Sequence, residues 1–326
     1  MPSPELSIII PNYNGADLLP RFLPYTFEAV KNGKITTEIL VVDDASSDNS
    51  LEVLKAYPQV RVVVREKNGG FSRACNSGLE AAKGRILLFL NSDAALEPDF
   101  LAHYESFFND PMVFGVTPSG FALDSGKVMD GARMGYWKNG SPRTAKNYFE
   151  SDAERAGLEK PWLSFSVVGA YFFCDAEKMR ELGGFDPLFS PYIFEEIDLS
   201  YRALKRGWKV VFEPRLRARH EWSTTLKKVA RPFRIQRISK RNQLIFVLVN
   251  IHSFPMMVSF WFFLLLRLLT FRITHWAAVI TLLPRLPRIV RRRKEEKKAV
   301  VVSDATLFRQ YDYRWVLKGR NQQETG

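Results

Sequence analysis

The sequence predicts an α/β fold built on a mostly parallel sheet flanked by helices, and two observations carry that prediction. The first is the stretch Gly84-Arg-Ile-Leu-Leu-Phe-Leu-Asn-Ser-Asp93, where five apolar residues, Ile86 to Leu90, run into Asn91-Ser92-Asp93. A short continuous apolar run after a glycine has the pattern of a strand buried on both faces. The second is the rhythm of the first 90 residues, in which such runs alternate with helical spacings over short connections. An acid that follows a strand of this kind stands at the sheet rim where ligands bind. Taken alone, Asp93 reads first as a cap for a helix starting at Ala94-Ala95-Leu96-Glu97. The rest of the chain moves the weight to a ligand-side acid.

Leu6-Ser-Ile-Ile-Ile10 is the first strand, stopped by Pro11-Asn-Tyr-Asn-Gly15, a ligand-side turn. Residues 16–31 carry Leu18, Leu19, Phe22, Leu23 and Val30 at helical spacing. Glu38-Ile-Leu-Val-Val42 is the second strand and ends in Asp43-Asp44. Asp48 or Ser50 caps a short helix over 51–57. Val60-Arg-Val-Val-Val64 is the third strand, Asn68-Gly-Gly70 opens a helix over about 72–82, and the strand over 85–90 follows. Residues 99–165, with glycines at 115, 120, 126, 131, 135 and 140, read as a continuation of the sheet with loops. Phe165 to Cys174 is strand-like, 177–182 is a short helix stopped by Gly183-Gly184, and Trp208 to Phe212 is a further strand. Between them Glu195-Glu-Ile-Asp-Leu-Ser-Tyr-Arg202 starts a helix with acids in its first turn, bases in its last and Gly207 beyond its end. That is the polarity a helix dipole favours.

Charge divides the chain. Residues 1–200 hold 19 Lys/Arg against 28 Asp/Glu, a net −9, and residues 201–326 hold 28 against 7, a net +21. Such asymmetry suits an anionic partner for the second part, a membrane surface or a nucleic acid. No nucleic-acid-binding motif accompanies the positive charge, which favours the membrane. Cys75 and Cys174 read as reduced, buried thiols of a cytosolic protein. The first residues lead straight into a strand pattern, with no basic signal-peptide region.

Asp44 and Asp93 both follow strands directly, the layout of a nucleotide site in an open sheet. Neither G-x-G-x-x-G nor G-x-x-x-x-G-K-[ST] is present. Six segments in order resemble a family 2 glycosyltransferase with the GT-A fold. They are Ser7 to Asn14 (SIIIPNYN), Val41 to Asp48 (VVDDASSD), Asn68 to Gly78 (NGGFSRACNSG), Leu90-Asn-Ser-Asp93, Gly183-Gly-Phe-Asp186, and Glu195-Glu-Ile-Asp-Leu199 with Arg202. They cover roughly residues 5–225. Ser239-Lys-Arg-Asn242 with its apolar sequel resembles the bacterial cell-surface branch, which includes rhamnosyltransferase-like members.

The resemblance implies a nucleoside diphosphate sugar donor and a divalent cation, Mg²⁺ or Mn²⁺, on its pyrophosphate. It implies that Asp93 contacts the metal as the last acid of a D-x-D-like motif, whose first acid is Asn91 here, with Ser92 between. His220 resembles a third metal ligand, beside the plainer reading of a surface or capping histidine. Asp44 resembles the acid that hydrogen-bonds the base, and Pro11, Asn12 and Tyr13 the wall beside the ring. Arg73 resembles a residue near the nucleotide, its alternative being an exposed helix arginine. Glu196 takes the place of the second residue of the E-D motif, the base that deprotonates an acceptor hydroxyl. Three acids at 195, 196 and 198 cannot all face one cleft, because helix neighbours point ~100° apart. Glu195 then suits a cap, and Asp198 an i,i+4 pair with Arg202.

From Asn242 to Leu266 no residue is charged, although Asn250, His252, Ser253 and Pro255 interrupt the run. Arg285-Leu-Pro-Arg-Ile-Val-Arg-Arg-Arg-Lys294 follows. Apolar helices with a polybasic flank fit an interfacial anchor on anionic lipid; a span or hairpin, or a buried core or homo-oligomer interface, are the alternatives. The expected organisation is a transferase domain over 1–225, membrane-associating helices over 226–298 and a tail over 299–326. A chain ending near residue 235 is expected to be soluble without detergent but to work poorly on a lipid-linked acceptor. The expected function is inverting transfer of a sugar to a surface-glycan acceptor, polyprenyl-linked or free, at the cytoplasmic face of the inner membrane. A polyprenyl-phosphate sugar synthase and a non-catalytic nucleotide-sugar-binding scaffold are the rivals.

Overall fold

The computed structural model describes residues 4–102, 104–144, 147–149, 151, 162–221 and 231–314. The apolar runs of the first 90 residues form strands β1 (Leu6–Asn12), β2 (Thr37–Asp43), β3 (Val60–Val64) and β4 (Ile86–Leu90). Helices α1 (Leu19–Gly33), α2 (Ser50–Leu54) and α3 (Phe71–Ala81) connect them. These four strands are parallel, in the order β3-β2-β1-β4. Ile8, Ile9, Leu40, Val41 and Leu87 are fully buried, as strands covered on both faces by helices must be.

Beyond β4 the sheet becomes mixed, which corrects the expectation of a mostly parallel one. β5 (Ala94–Leu96), β6 (Val113–Ala122), β7 (Val128–Asp130), β12 (Trp162–Leu163), β13 (Tyr171–Asp175) and β14 (Lys209–His220) complete it. Short strands β8 (Ala132–Arg133), β9 (Tyr136–Lys138), β10 (Ser141–Arg143) and β11 (Asn147–Tyr148) form two small antiparallel pairs beside it. β13 lies antiparallel between β4 and β6, while β14 runs parallel to β6. The chain leaves β4 at the ligand-side rim and comes back along β13 from that rim, so the local order of strands does not announce the reversal. Ala94–Leu96 pairs with Ala218–His220 as a strand. No helix starts there, and Asp93 is not a helix cap.

Helices α4 (Ala176–Glu181) and α5 (Glu195–Lys205) flank β13 and β14. Gly207, at φ +85°, ends α5 with Trp208 N–H donating to the Ala203 carbonyl at 3.2 Å. Then come α6 (Pro232–Asn250), α7 (Phe254–Leu269), α8 (Ile273–Leu282), α9 (Leu286–Lys298) and α10 (Asp304–Gln310). The uncharged stretch therefore divides. Its first half is core: Ile245, Phe246, Val247 and Val249 are fully buried in the same apolar cluster as Phe165, Tyr201 and Phe308. Its second half is largely surface, with Phe254 79%, Trp261 53% and Phe262 57% exposed. Among the described residues no helix is long and apolar enough to cross a membrane. The expected boundary at 225/226 and residues 315–326 of the expected tail lie outside the described residues.

Candidate functional site

Two strand-end loops meet at the rim of β1 and β2. The register sets Asn12 beside Asp43, and the buried Asn12 amide donates to Asp43 Oδ1 at 3.0 Å. Asp48 joins the two loops, accepting from Ala16 N at 2.9 Å and from Ser50 N at 3.0 Å. Asn14 Oδ1 accepts from Ser47 N at 2.8 Å. Asp48 thus binds turn backbone where the sequence suggested a helix cap; the helix begins after Asn49 with no side-chain cap. Pro11 is half-buried and Tyr13 is 40% exposed above this stitched floor.

Asp44 is buried and fully engaged. Its carboxylate accepts from Gly69 N at 3.0 Å, Gly70 N at 2.8 Å and the Arg65 guanidinium. Gly70 takes φ +78°, which a side chain would resist, and so turns its amide onto Asp44. Arg73 is exposed and lies across the same loop: a Cβ on Gly69 would meet Arg73 Cδ at 2.5 Å and Arg65 Nη1 at 2.6 Å. Asp44 is thus first the anchor of the Gly-Gly turn. The sequence reading missed Arg65, although its place directly after β3 was a usable signal.

The second cluster is at the end of β4. Asn91 N donates to the Ala170 carbonyl at 2.8 Å, and Asn91 and Ser92 are half-buried. Pairing of β5 with β14 carries His220 to Asp93 across 127 positions: His220 Nε2 lies 2.9 Å from Asp93 Oδ1, and both residues are buried. His220 Nδ1 is buried with no partner among the described residues. Two ligands sitting cis on an octahedral cation at ~2.1 Å are about 3.0 Å apart, so the spacing of this pair suits one ion. Among the described residues no third His, Cys, Asp or Glu completes a cluster. Two protein donors with the remaining positions left to phosphate oxygens and water is a set that Mg²⁺ or Mn²⁺ accepts.

The acids of α5 separate as helical geometry requires. Asp198 is fully buried, accepting from Arg202 Nε at 2.8 Å and from the Asn250 amide at 2.7 Å. Arg202 spends its other donors on the Leu182 and Gly184 carbonyls. Glu195 does not cap the helix, because Phe194 is the N-cap residue and makes no side-chain cap. Instead Glu195 is buried with Oε1 unpartnered among the described residues, and burial, then the neighbouring Glu196, push its carboxyl well above the usual range. Glu196 is the partly exposed member, 3.5 Å from Arg133 Nη1 and against Gly169.

The approach to α5 is strained: Ile193 and Phe194 take φ +74° and +84°, unusual for a β-branched and an aromatic residue. Asn242 of α6 holds this turn by donating to the carbonyls of Phe189 at 2.6 Å and Ile193 at 2.7 Å. Arg241 adds a bond to Ser190 O at 2.6 Å. The sequence singled out Asn242 without showing what it touches.

Comparison with known proteins bears on the family and the fold. Residues 7–155 match the model of the glycosyl transferase family 2, and residues 86–289 match that of the glycosyl transferase family group 2. Among curated relatives, the succinoglycan biosynthesis protein ExoO of Rhizobium meliloti (strain 1021) is 34% identical over 100 residues, 30% of this chain and 28% of that protein. The pre-mycofactocin glycosyltransferase of Mycobacterium tuberculosis is 25% identical over 229 residues, 68% of this chain and 44% of that protein. The matches therefore span less than half the length of either relative. Among solved structures, GalNAc-T7 with UDP, GalNAc and Mn²⁺ is similar at TM-score 0.57 and 20% identity, over 76% of this chain and 48% of that one. The mannosyltransferase PcManGT from Pyrobaculum calidifontis, in complex with GDP-Man and Mn²⁺, is similar at TM-score 0.54 and 16% identity, over 100% of this chain and 89% of that one. At such identities the likeness shows the fold, a GT-A-like mixed sheet with flanking helices.

Proposed function

This chain belongs to the family 2 group of glycosyltransferases, and from that premise we propose that it moves a sugar from a nucleoside diphosphate donor to a hydroxyl of a surface-glycan acceptor, with inversion. The observation that carries the proposal is the buried Asp93–His220 pair at the strand-end rim. The two similar structures described with Mn²⁺ and a nucleotide or nucleotide sugar support the donor class.

Asp93 and His220 would hold Mg²⁺ or Mn²⁺, and the cation when bound offsets charge on the departing diphosphate. To present Nε2 to it, His220 keeps its proton on Nδ1. Tyr13 and Pro11 wall the nucleotide, and Arg73 and Arg65 bring positive charge to the same edge. Asp44 fixes the Gly69-Gly70 turn beneath them. Glu196 accepts the proton of the acceptor hydroxyl as that oxygen bonds the anomeric carbon and the diphosphate oxygen leaves. A phosphate acceptor arrives already ionised and needs no base, so a partly exposed Glu196 favours a hydroxyl acceptor over a polyprenyl phosphate. The exposed apolar face of α7 and α8, flanked by Arg285, Arg288, Arg291 and Lys294, favours a lipid surface and hence a lipid-linked acceptor. The proposed location is the cytoplasmic face of the inner membrane.

The test is donor turnover. A panel of UDP-, GDP- and dTDP-sugars is screened for thermal stabilisation and for release of nucleoside diphosphate, with Mn²⁺, with Mg²⁺ and in excess EDTA. Activity should need the cation, and Asp93→Ala should abolish both. Glu196→Gln should keep donor affinity and lose transfer by roughly 10²–10⁴-fold. Full activity in EDTA refutes the metal reading, and a fully active Glu196→Gln refutes the base. Donor binding with no turnover under any condition would favour a non-catalytic scaffold.

A further inference from the structure

Glu196 and the Asp93–His220 pair come from distant parts of the chain and make no direct contact recorded among the described residues. A side-chain relay, buried from Asp130 to Asp93, nevertheless joins them. Arg133, on β8, lies 3.5 Å from Glu196 Oε1 through Nη1 and 3.4 Å from Asp130 Oδ1 through Nη2. Asp130, at the end of β7, uses its other oxygen to accept from the Tyr171 hydroxyl at 3.0 Å. Tyr171 is fully buried and sets its ring edge-on to the His220 imidazole, with centroids 6.1 Å apart and planes at 87°. His220 Nε2 then meets Asp93.

Each link is built rather than incidental. Tyr171 opens β13, whose pairing with Leu90 of β4 fixes its height above the rim. Its hydroxyl reaches Asp130 only because residue 120 of β6 is glycine: a Cβ there would lie 1.7 Å from that oxygen. Arg133 has its backbone clamped from both sides, its N–H donating to Ser164 Oγ at 2.9 Å and its carbonyl accepting from Phe165 N at 2.7 Å. A guanidinium presents its donors in a rigid fork, so one arginine held at the backbone can fix two carboxylates at a set angle. Lysine keeps the charge but not the fork, and holds them less firmly.

We propose that Arg133 is a positioning residue for the transfer step, holding the Glu196 carboxylate in place and tying it through Asp130 and Tyr171 to the His220 ring. The proposal rests on the reading of Glu196 as base and of Asp93–His220 as the cation pair. It adds that these two parts are kept in register by a third group that touches neither donor nor cation. The pairing of rigid backbone with a partly exposed carboxylate is the reason such a group is needed. Glu196 sits on the first turn of a helix entered through two strained residues, and a carboxylate there has rotamers to lose.

The experiment uses the full chain and hydrolysis of whichever nucleotide sugar turns over in the donor screen, so that no acceptor need be known. Arg133→Gln should lower kcat by roughly 10- to 10²-fold, the cost of a misplaced reacting group, and leave the donor KM within about twofold. Arg133→Lys should restore part of the loss. Tyr171→Phe, which cuts the relay but keeps the ring, should lower kcat by less. In a Glu196→Gln background Arg133→Gln should cause no further loss, because a group acting through Glu196 has nothing left to act on. Binding of Mn²⁺ with UDP or GDP, followed by calorimetry, should survive in Arg133→Gln; its loss would show a folding or donor-site defect and overturn the proposal. Equal losses in both backgrounds, or an Arg133→Gln enzyme with normal kcat, would overturn it too. Normal turnover by Glu196→Gln would instead remove the base reading on which it rests.

Discussion

Asp304 is the residue on which the helices after β14 are hung, and replacing it tests how firmly they are tied to the site. Its carboxylate is 2% exposed and accepts four hydrogen bonds. They come from Tyr201 Oη and Lys205 Nζ of α5, each 2.6 Å away, and from His252 N and Ser253 N at the start of α7, each 2.7 Å away. Asp304→Ala leaves a buried Lys205 ammonium without its counter-ion, a loss of about 3–5 kcal/mol when one partner of a buried pair is removed. Two amides are orphaned as well, although water entering the gap recovers part of that cost. Taking about 4 kcal/mol and roughly 2 °C per kcal/mol for a chain of this size, the midpoint of thermal unfolding should fall by about 8 °C. Asp304→Asn keeps one acceptor oxygen and should fall by about half as much. Burial raises the Asp304 carboxyl, but Lys205 and the hydrogen bonds outweigh it and hold it below the usual range. A depressed carboxyl adds stability above its unfolded pKa and loses it as pH falls through the folded one. The gap between wild type and Asp304→Ala should therefore be full at pH 7 and narrow below about pH 4, near the reference aspartate value. Circular dichroism melts at both pH values are the assay. A shift under 2 °C at pH 7, or a gap that does not change on acidification, would refute the reasoning.

Two further outcomes follow from the same structure. Glu195 has its carboxyl raised by burial and by Glu196, so wild type should lose stability as pH rises from the unfolded glutamate value through the folded one; Glu195→Gln lacks that penalty, and its melting advantage should grow from pH 5 to pH 8, a flat difference sinking the idea. The apolar face of α7 and α8 should carry the full-length protein down with phosphatidylglycerol vesicles at low salt, and Trp261→Glu with Phe271→Glu should leave it in the supernatant; a wild type that does not sediment would refute a lipid partner.

Much of the parallel half of the fold was legible because its physics is local. Ile8 to Ile10, Leu40 to Val42 and Leu87 to Phe89 are apolar at successive positions, and a short run of this kind bounded by turn residues suits a strand covered on both faces. In the other half strand character was legible at β13 and β14, but direction and pairing were not. β6 contains Gly115, Pro118 and Gly120, which weaken its local strand signal, and the reversal of β13 is set by pairing with residues more than 50 positions away. Ala94-Ala95-Leu96 has helical propensity and is a strand only because β14 arrives beside it. The site divides the same way. Strand-end acids could be found by position, whereas the Asp93–His220 pair is made by β5–β14 pairing and was reached through family resemblance alone. Asp130 and Arg133 lie in the irregular glycine-spaced region, where no periodicity distinguished them from loop residues.

The polar residues inside the uncharged stretch mattered most and were read the wrong way round. Asn250 and His252 looked like interruptions of an uncharged run that opens at Asn242, and that run with its basic sequel suggested membrane-associating helices beyond a transferase domain. In the structure the two asparagines are buried and each serves α5: Asn242 holds the strained turn before Glu195 and Glu196, and Asn250 shares Asp198 with Arg202. Phe246 and Phe308 both pack on Tyr201. A chain cut near 235 would uncover that apolar surface, remove one of the two partners recorded for a fully buried Asp198, and release the turn that presents Glu196. A buried polar group without its partner costs about 1–3 kcal/mol, more when charged, so a chain cut near 235 is expected to melt below the full chain and to transfer more slowly. Only α7, α8 and the basic face of α9 remain available for a surface role, and they are joined to the site through α6 rather than appended to it. A lipid-linked acceptor brought in along α7 would then meet a base whose helix is braced by the element leading into the anchor.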